Sequence, residues 1–458
     1  MISFKRAGVV LALGAGLAVT PTAAQQSSAE GVIQRATLGN GLQIIVVENH
    51  AVPLATVLVA VRNGAMTQEP RDQGLAHLYE HLLFRLYRGD PKAFGREATY
   101  LKAAFNGFTS EEVVSYYLVL PSGNALKGVH LLARTLQNPR FSDRDLREER
   151  PVVLDELQRS ESDPEKALGR QASQLLWGAS WSRKDPGGDS TSLQGITVDR
   201  LREAYARYYV PNNAAVIVTG DVSAASVIAA ATESFGRWPR RPDPFQDRPL
   251  QAIAPLTGVK ATLMAKPVAH TTILVQLQGP SVGEDTAATY AADGLCEVLN
   301  EPGSAFQHRL VESGQFQSIH CRYQTLNNVG PITIEGETTP AATAIALTVL
   351  LGELDELDLL QGVTEEDLTI AKRRRQVETA LRLESTATLA PTLASWWTSA
   401  GIAYYESYDA HMNMQTLDDL RGFARKYIVS RPRVIAVLAT PPVVQQLQAM
   451  LGAPRRAP

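Results

Sequence analysis

Residues 74–84 read Gly74-Leu-Ala-His77-Leu-Tyr-Glu80-His81-Leu-Leu-Phe84, and this run indicates a helix that carries two histidines and a carboxylate. Residues four apart on a helix lie on one face with their Cβ atoms about 5–6 Å apart, so a single zinc ion can bridge His77 and His81. Glu80 precedes His81, which places its carboxylate beside the metal, where it can act on a metal-bound water. The H-x-x-E-H order therefore predicts a catalytic zinc site. In the alternative interpretation, the histidines are half-buried and hydrogen-bonded, and Glu80 is solvated.

Length and composition indicate a globular protein of several domains. A chain of 458 residues is too long for one ordinary core, and its length suggests roughly two to four domains. Apolar residues make up 45% and charged residues 20%, without a disordered or collagen-like bias. The net charge is only -3, and the sequence contains no basic stripe with interleaved aromatic residues, which argues against a nucleic-acid partner.

The first 24 residues have the features of a secretory signal peptide. Two basic residues precede an apolar run of 13 residues at positions 7–19, and small residues follow up to Ala24. A membrane anchor fits less well, because about 20 residues are needed to span a bilayer, and the sequence contains no other transmembrane candidate. We therefore expect the protein in the periplasm or outside the cell. Such a compartment permits a disulfide between Cys296 and Cys321, but two buried thiols fit the sequence equally well.

The first half of the chain predicts a mixture of strands and helices. Apolar, β-branched runs predict strands at residues 41–48, 53–62, 113–120 and 214–220. Helices are expected at residues 93–104, 124–137 and 201–209, and the polar run at residues 106–110 is expected to be a turn.

A catalytic zinc ion needs another protein ligand besides the two histidines, since three ligands and a water are the usual arrangement. Residues 143–160 predict a long helix on which Glu149 and Glu156 are seven positions apart, two turns along one face. We choose Glu156 as the third ligand. On composition alone it is one of many carboxylates, most of which are merely solvated.

A proline-rich stretch at residues 238–255 interrupts the pattern and indicates a linker. We therefore expect a zinc-bearing domain at residues 31–240, a linker at 241–257 and a second domain at 258–450. The division places the zinc helix and both acidic candidates in the first domain.

The second half repeats features of the first. The strand predicted at residues 434–438 and the helix before it follow the strand at 214–218 and its preceding helix by about 219 positions. The helix of the second half that corresponds to the zinc helix, around residues 294–298, carries no histidine. A requirement of the fold would tend to recur in both halves, whereas a site need occur only once. The two histidines and their carboxylate are therefore predicted to form a site.

These motifs resemble the insulinase/pitrilysin family of inverted-zincin peptidases over nearly all of the chain after the signal peptide. The resemblance rests on the zinc helix and on four further segments: Asn106-Gly-Phe-Thr-Ser-Glu-Glu112, Val152-Val-Leu-Asp-Glu156, Tyr208-Tyr-Val-Pro-Asn-Asn213 and Thr219-Gly-Asp221. Glu156 stands 75 positions after His81, the spacing of the family's third zinc ligand. By the same resemblance, Glu149 corresponds to a glutamate that supports the site.

The resemblance implies an α+β fold of two structurally related halves, each a mostly antiparallel sheet with helices packed on one face. Such a unit is half of a chamber, which either a second family subunit or a second copy of the chain closes. A flexible or unfolded peptide is held as an added strand on a sheet edge. Asn106, Gly107 and Phe108 are expected along that edge, and Phe84 is expected to line a side-chain pocket. Ordinary core packing is the alternative for the two phenylalanines.

The implied activity is zinc-dependent peptide hydrolysis with Glu80 as general base. Zn²⁺ lowers the pKa of a bound water to about 7 and polarises the carbonyl, while Glu80 passes the proton to the leaving amine.

The second half departs from the pattern of the active family members, which carry an arginine and a tyrosine that bind substrate and help to stabilise the oxyanion. In the stretch at residues 306–317 the corresponding positions hold Leu310 and Gln317, and Arg309 is out of register. We therefore expect a zinc-bearing subunit that a partner subunit completes. One alternative is a non-catalytic, peptide-binding chamber subunit that retains zinc. A structural zinc site fits less well, because the sequence offers no fourth protein ligand.

Overall fold

The computed structural model describes residues 33–452, so the predicted signal peptide lies outside the described residues. The first sheet contains β1 (Gln34–Thr37), β2 (Gln43–Glu48), β3 (Leu54–Val61), β4 (Ala104–Thr109), β5 (Val114–Pro121) and β6 (Ala214–Gly220). The second sheet contains β7 (Lys260–Ala265), β8 (Thr271–Gln278), β9 (Ser318–Tyr323), β10 (Pro331–Thr338) and β11 (Val434–Ala439). No helix within residues 33–452 is both long enough and apolar enough to cross a membrane.

Helices connect and cover these strands. Those of the first half are α1 (Leu75–Arg85), α2 (Ala93–Tyr100), α3 (Ala125–Gln137), α4 (Asp143–Ser162), α5 (Pro164–Trp177), α6 (Ser190–Gly195), α7 (Val198–Tyr208) and α8 (Ala224–Phe235). Those of the second half are α9 (Thr286–Asn300), the single turn α10 (Ala305–Gln307), α11 (Thr343–Asp355), α12 (Glu365–Glu384), α13 (Thr386–Ser399), α14 (Ile402–Met414), α15 (Leu417–Tyr427) and α16 (Pro441–Gly452). Residues 241–257, between the halves, contain neither a helix nor a strand.

The two sheets have the same topology. The strand order is β1-β2-β6-β3-β5-β4 in the first sheet and β7-β11-β8-β10-β9 in the second, so each strand after β1 has a counterpart. The β2–β6 and β7–β11 pairs are parallel, and the other pairs are antiparallel. Helix α1 follows β3 in the chain as α9 follows β8. The predicted fold of two related, mostly antiparallel halves is confirmed.

Each half also contributes one helix that packs on the sheet of the other half, and these two, α5 and α13, are the lent helices. Helix α5 of the first half packs on the second sheet, where Leu168 and Leu176 join a core with Leu274. Helix α13 of the second half packs on the first sheet, where Leu389 and Trp397 join a core with residues of β2, β3 and β6. Both lent helices have 14 residues and follow a 20-residue helix. Each sheet therefore has helices of its own half on one face and a helix from the other half on the opposite face.

The prediction of a turn at residues 106–110 is wrong, since residues 104–109 form strand β4. Asn followed by Gly is typical of turns, but pairing with β5 keeps Gly107 extended here. The turn is one step later, where the N–H of Ser110 donates to the carbonyl of Val113 at 2.8 Å. The helix predicted at residues 93–104 ends at Tyr100, because Lys102 adopts a left-handed φ of 55° that no α-helix accommodates.

Buried polar contacts join the two halves beside this turn. Glu112 accepts hydrogen bonds from the backbone N–H groups of Asn327 and Asn328, each at 3.0 Å. Lys184 donates to the carbonyl of Val329 in the second half at 2.5 Å, and within the first half it contacts the carboxylate of Glu111. In the second half, a disulfide joins Cys296 on α9 to Cys321 on β9, the pairing that the sequence leaves open.

Candidate metal centre

Helix α1 places the two histidines on the side that faces α4. Gly74 precedes the helix with a φ of 84°, and its N–H donates to the side-chain oxygen of Gln68 at 2.7 Å. Leu78 and Leu82 are buried in the core beneath the first sheet. Residues on the other side of the helix, His77 and His81, are therefore only partly covered and contact α4.

Helix α4 supplies the carboxylates. Its first turn is capped by Ser142, whose hydroxyl accepts from two backbone N–H groups, as is typical of a helix start. Val153 and Leu157 are buried on one side. Glu149 and Glu156, two turns apart, both reach the histidines of α1.

Three side chains converge at the point where these helices meet. Nε2 of His77 lies 3.7 Å from Oε2 of Glu156, and Nε2 of His81 lies 3.4 Å from the same oxygen. One donor atom from each of the three residues lies within 4.8 Å of the others. The two α1 histidines and the α4 carboxylate predicted as ligands are thus brought together.

The spacing of these atoms fits zinc. Tetrahedral Zn²⁺ with bonds of about 2.0–2.2 Å holds its ligand atoms about 3.3–3.6 Å apart, close to the two histidine–carboxylate distances. Two imidazoles and one carboxylate, with a fourth position open, are a donor set of catalytic zinc sites. Burial, and then His81, lower the pKa of His77 to about 4, which keeps its imidazole neutral and able to bind a metal.

Glu149 fixes the orientation of His81. Its Oε1 lies 3.0 Å from Nδ1 of His81, and its Oε2 lies 3.3 Å from the guanidinium of Arg85. With Nδ1 engaged in this way, Nε2 is the nitrogen left for a metal. Although burial opposes it, the contact with Glu149 raises the pKa of His81. Nδ1 of His77, by contrast, is buried and finds no hydrogen-bond partner within residues 33–452.

The carboxylate of Glu80 is buried between α1 and β4. Its side chain accepts a hydrogen bond from the hydroxyl of Thr109 at 3.1 Å. A Cβ atom added at Gly107 would lie 2.5 Å from Oε1 of Glu80, so only glycine leaves room for this carboxylate. Burial raises the pKa of Glu80 to about 7, despite His81 and the hydrogen bond from Thr109. A group with a pKa near the working pH is suited to accept a proton and return it.

The cleft over these residues has a volume of about 460 Å³ and follows the free edge of β4. Strand β4 is paired only with β5 within the described sheet, so its other edge carries open backbone groups. The cleft is lined by the two histidines, Glu80, Glu156, Phe84 and residues 105–109. Asn106, Gly107 and Phe108 therefore lie along an edge, the location that the family resemblance implies for them.

Phe84 and Phe108 both pack against other side chains and also line the cleft. Phe84 packs its ring against those of Phe94 and Phe105, with centroid separations of 4.6 and 5.1 Å. It also lines the cleft. Phe108 packs against the core beneath α13 and lines the same cleft. Both side chains are only partly buried, so each offers some surface to a bound molecule.

Three residues that contact the site residues are not predicted from the sequence: Arg85, Phe105 and Thr109. Thr109 lies inside the quoted run from Asn106 to Glu112, so the motif contained it without indicating its role. Arg85 and Phe105 act through contacts with residues distant in the chain, and no local pattern indicates those contacts.

In the second half, Arg309 is held by a carboxylate. Its Nε and Nη2 donate to the two oxygens of Glu353, both at 2.7 Å. Leu310 is fully buried in the second core. The arginine nearest to the expected position is thus already paired.

Comparison with known proteins places the chain in a family. Residues 43–179 match the family described as Insulinase (Peptidase family M16), and residues 195–375 match the Peptidase M16 inactive domain. The chain is similar to an uncharacterized zinc protease of Streptomyces coelicolor, with 23% identity over 89% of this chain and 90% of the relative. It is also similar to the probable mitochondrial-processing peptidase subunit beta of Arabidopsis thaliana, with 21% identity over 89% of this chain and 78% of the relative.

Solved structures share the fold. A protease from Helicobacter pylori has a TM-score of 0.78 at 20% identity, covering 89% of this chain and 99% of that one. The periplasmic protease PqqL from Escherichia coli has a TM-score of 0.72 at 17% identity, covering 93% of this chain and 50% of that one. With both halves matched by family descriptions and both histidines on helix α1, the chain belongs to the insulinase family of peptidases, family M16.

Proposed function

We propose that this protein is an exported zinc metallopeptidase that hydrolyses peptides or unfolded segments, with Glu80 as general base. One observation carries the proposal: two imidazoles and a distant carboxylate converge beside a buried glutamate, in a cleft that follows a free strand edge. His77, His81 and Glu156 would hold Zn²⁺, and Asn106, Gly107, Phe108 and Phe84 would contact the peptide.

The residues of the site have separate roles in the proposed hydrolysis. Zinc, when bound, supplies a polarised carbonyl and an acidic water. Glu80, held by Thr109, takes a proton on its carboxylate and returns it to the leaving amine. Glu149 keeps His81 oriented. The open backbone groups of β4 accept an extended peptide as an added strand, which supplies affinity with little demand on sequence.

We further propose that a second subunit completes the site. The second half offers Leu310 and Gln317 where active relatives are expected to carry an arginine and a tyrosine, and Arg309 is occupied by Glu353. A single oxyanion donor is worth about 3–4 kcal/mol, or a hundredfold to a thousandfold in rate. The partner would be another family subunit or a second copy of the chain, and the chain alone would be weakly active.

The same deficit favours a second candidate, a non-catalytic subunit that binds peptides and retains zinc. One relative of known structure is named a peptidase M16 inactive domain, from Pseudomonas fluorescens. Cleavage of a peptide by the chain together with its partner separates the two candidates, whereas zinc content does not.

Export is supported by the Cys296–Cys321 disulfide, since such bonds persist mainly in oxidising compartments. A signal peptide at residues 1–24 and a periplasmic or secreted location are therefore part of the proposal. So are the domain boundaries at residues 31–240 and 258–450, around a linker at 241–257.

The test measures zinc content and hydrolysis of a fluorogenic peptide, first with the chain alone and then with a family member that carries the arginine and the tyrosine. Glu80→Gln should keep zinc and lose nearly all hydrolysis, because only the proton acceptor is removed. Glu161→Gln, an exposed change on α4, is the matched control and should behave as the wild type. Full activity in Glu80→Gln would refute the assigned role.

A further inference from the structure

A second cavity lies between α2 and α3 and has a volume of about 450 Å³. This is within the range of pockets that take small molecules. It shares no lining residue with the metal cleft among the residues that the structure describes. Its walls are unusually basic, because four of its lining side chains are the cations Arg88, Arg96, Lys127 and Arg134.

The positive charge of this cavity is only partly balanced. Glu97 is shared by Arg88 and Arg134, with contacts of 3.1 and 2.8 Å. Arg96 pairs with Asp90. Lys127 donates to the side-chain oxygen of Asn124, which is neutral. Four cations against two carboxylates leave an excess of two positive charges.

The backbone of Arg88, beside this cavity, has an uncommon conformation. It adopts a left-handed φ of 57°, which is uncommon for residues other than glycine and is held only where the surroundings enforce it. In this conformation its guanidinium contacts Glu97 and lies 5.1 Å from the ring centroid of Tyr87. The backbone is thus strained in a way that keeps a third guanidinium at the cavity.

The rim of the cavity carries an aromatic ring with almost nothing packed on it. Tyr100 is 80% exposed, the highest value among the large hydrophobic residues exposed in the described part of the chain. Ala93 and Leu101, beside it in the cavity, are buried and apolar. The cavity therefore combines a cationic wall, an apolar floor and an open aromatic face.

We propose that this cavity binds a phosphate ester that carries an aromatic ring, of the class of nucleoside di- and triphosphates. Guanidinium groups match the geometry of phosphate oxygens and bind them in pairs. The excess of two positive charges suits a ligand with several negative charges. The face of Tyr100 offers the base a surface on which to stack. The inference is independent of the proposed peptidase activity.

Calorimetric titration of the full chain with ATP and, separately, with tripolyphosphate tests the proposal. Arg96→Gln and Lys127→Gln should each weaken both ligands about tenfold, because each removes one charged contact to phosphate. Tyr100→Ala should weaken ATP alone, down to the affinity of tripolyphosphate. Arg421→Gln, which removes an exposed arginine paired with one aspartate elsewhere, should change neither.

Each other outcome counts against the site. Equal binding of ATP and tripolyphosphate by the wild type would exclude a ring-bearing ligand. Absence of binding, or binding unchanged in Arg96→Gln and Lys127→Gln, would overturn the proposal. These variants leave the candidate zinc ligands intact, so any removal of zinc by the phosphates is common to all the proteins and cancels in the comparison. Circular dichroism of each variant confirms that it is folded.

Discussion

Gly107 faces the carboxylate of Glu80 so closely that no side chain fits between them. In Gly107→Ala the new Cβ would have to displace that carboxylate, 2.5 Å away, or shift the edge strand. Because general-base catalysis contributes about 10²–10⁴-fold, we expect kcat to fall at least a hundredfold while zinc content stays the same. Peptide hydrolysis by the completed enzyme measures the effect. Gly123→Ala, where an added Cβ meets nothing within 4 Å, is the control. Normal kcat in Gly107→Ala would show that Glu80 tolerates displacement.

Glu149 is expected to affect how firmly a metal ion is held at the site. It contacts Nδ1 of His81 on one side and Arg85 on the other, without offering a ligand itself. Loss of such a supporting carboxylate typically weakens metal binding about 10–100-fold, so we expect that loss in Glu149→Ala. Competition with a zinc chelator measures the affinity, and Glu161→Ala, at an exposed residue further along α4, is the control. An unchanged zinc affinity would mean that His81 is oriented without Glu149.

The residues of the site divide according to how local their signal is. The spacing of His77, Glu80 and His81 on one helix is visible in the sequence, because the helix itself brings them together. The identity of Glu156 came from family spacing, since it belongs to a helix 75 residues away. Thr109 supports Glu80 from a strand 29 residues away. Such a contact depends on the docking of two elements, which no short pattern encodes.

At the scale of elements, the same pair of elements is joined differently in the two halves. Helix α1 and strand β4 are linked by the hydrogen bond between Glu80 and Thr109. Their counterparts α9 and β9 are linked by the Cys296–Cys321 disulfide. The half whose matching helix has no histidine thus has a covalent bond where the other half has the candidate general base. This contrast agrees with one half built for a site and the other for support.

That disulfide should contribute measurably to stability. It closes a loop of 25 residues, and a crosslink of that length stabilises by about 3.5 kcal/mol in the chain-entropy description. We expect the double variant Cys296→Ser, Cys321→Ser to lose about that much free energy of unfolding. Urea unfolding, followed by circular dichroism, measures it. Reductant should destabilise the wild type and leave the double variant unchanged; equal stability of the two oxidised proteins would contradict the prediction.

Element prediction is right where burial dictates the pattern and wrong at the edge strand that borders the cleft. Strand β6, apolar and fully buried, was predicted with its observed bounds. Strand β4 was predicted as a turn because Asn106-Gly107 has turn composition, and it carries only partly covered side chains at an open edge. With an open edge and a glycine required beside Glu80, this strand lacks the usual apolar alternation.

At the scale of the whole molecule, the lent helices α5 and α13 make the halves depend on each other. The sequence does not indicate on which sheet these helices pack, because the partners lie more than 90 residues away in the chain. Helix α4, which carries Glu149 and Glu156, leads directly into α5 on the second sheet. The candidate metal ligand is thereby attached to the half that has no histidine on its matching helix.

Trp397 shows which contacts the first half would lose without α13. Its indole packs on the first sheet, donates to the side-chain oxygen of Gln43 at 3.0 Å and lies 4.1 Å from the guanidinium carbon of Arg62. Without α13, Ile45, Leu58 and the other apolar residues of that face would meet water. An isolated first half would therefore expose a broad hydrophobic surface, of the kind that leads to aggregation.

We accordingly expect residues 33–240, produced alone, to bind a hydrophobic dye and to aggregate, and residues 258–452 to do the same. Produced together as two chains, they should associate into one soluble complex, because each then receives its missing helix and the 241–257 segment contributes no helix or strand. Size-exclusion chromatography and zinc content of the co-produced halves, compared with the intact chain, measure the outcome. A first half that is monomeric, cooperatively folded and free of dye binding by itself would show that α13 is dispensable, and with it the mutual dependence inferred from the two lent helices.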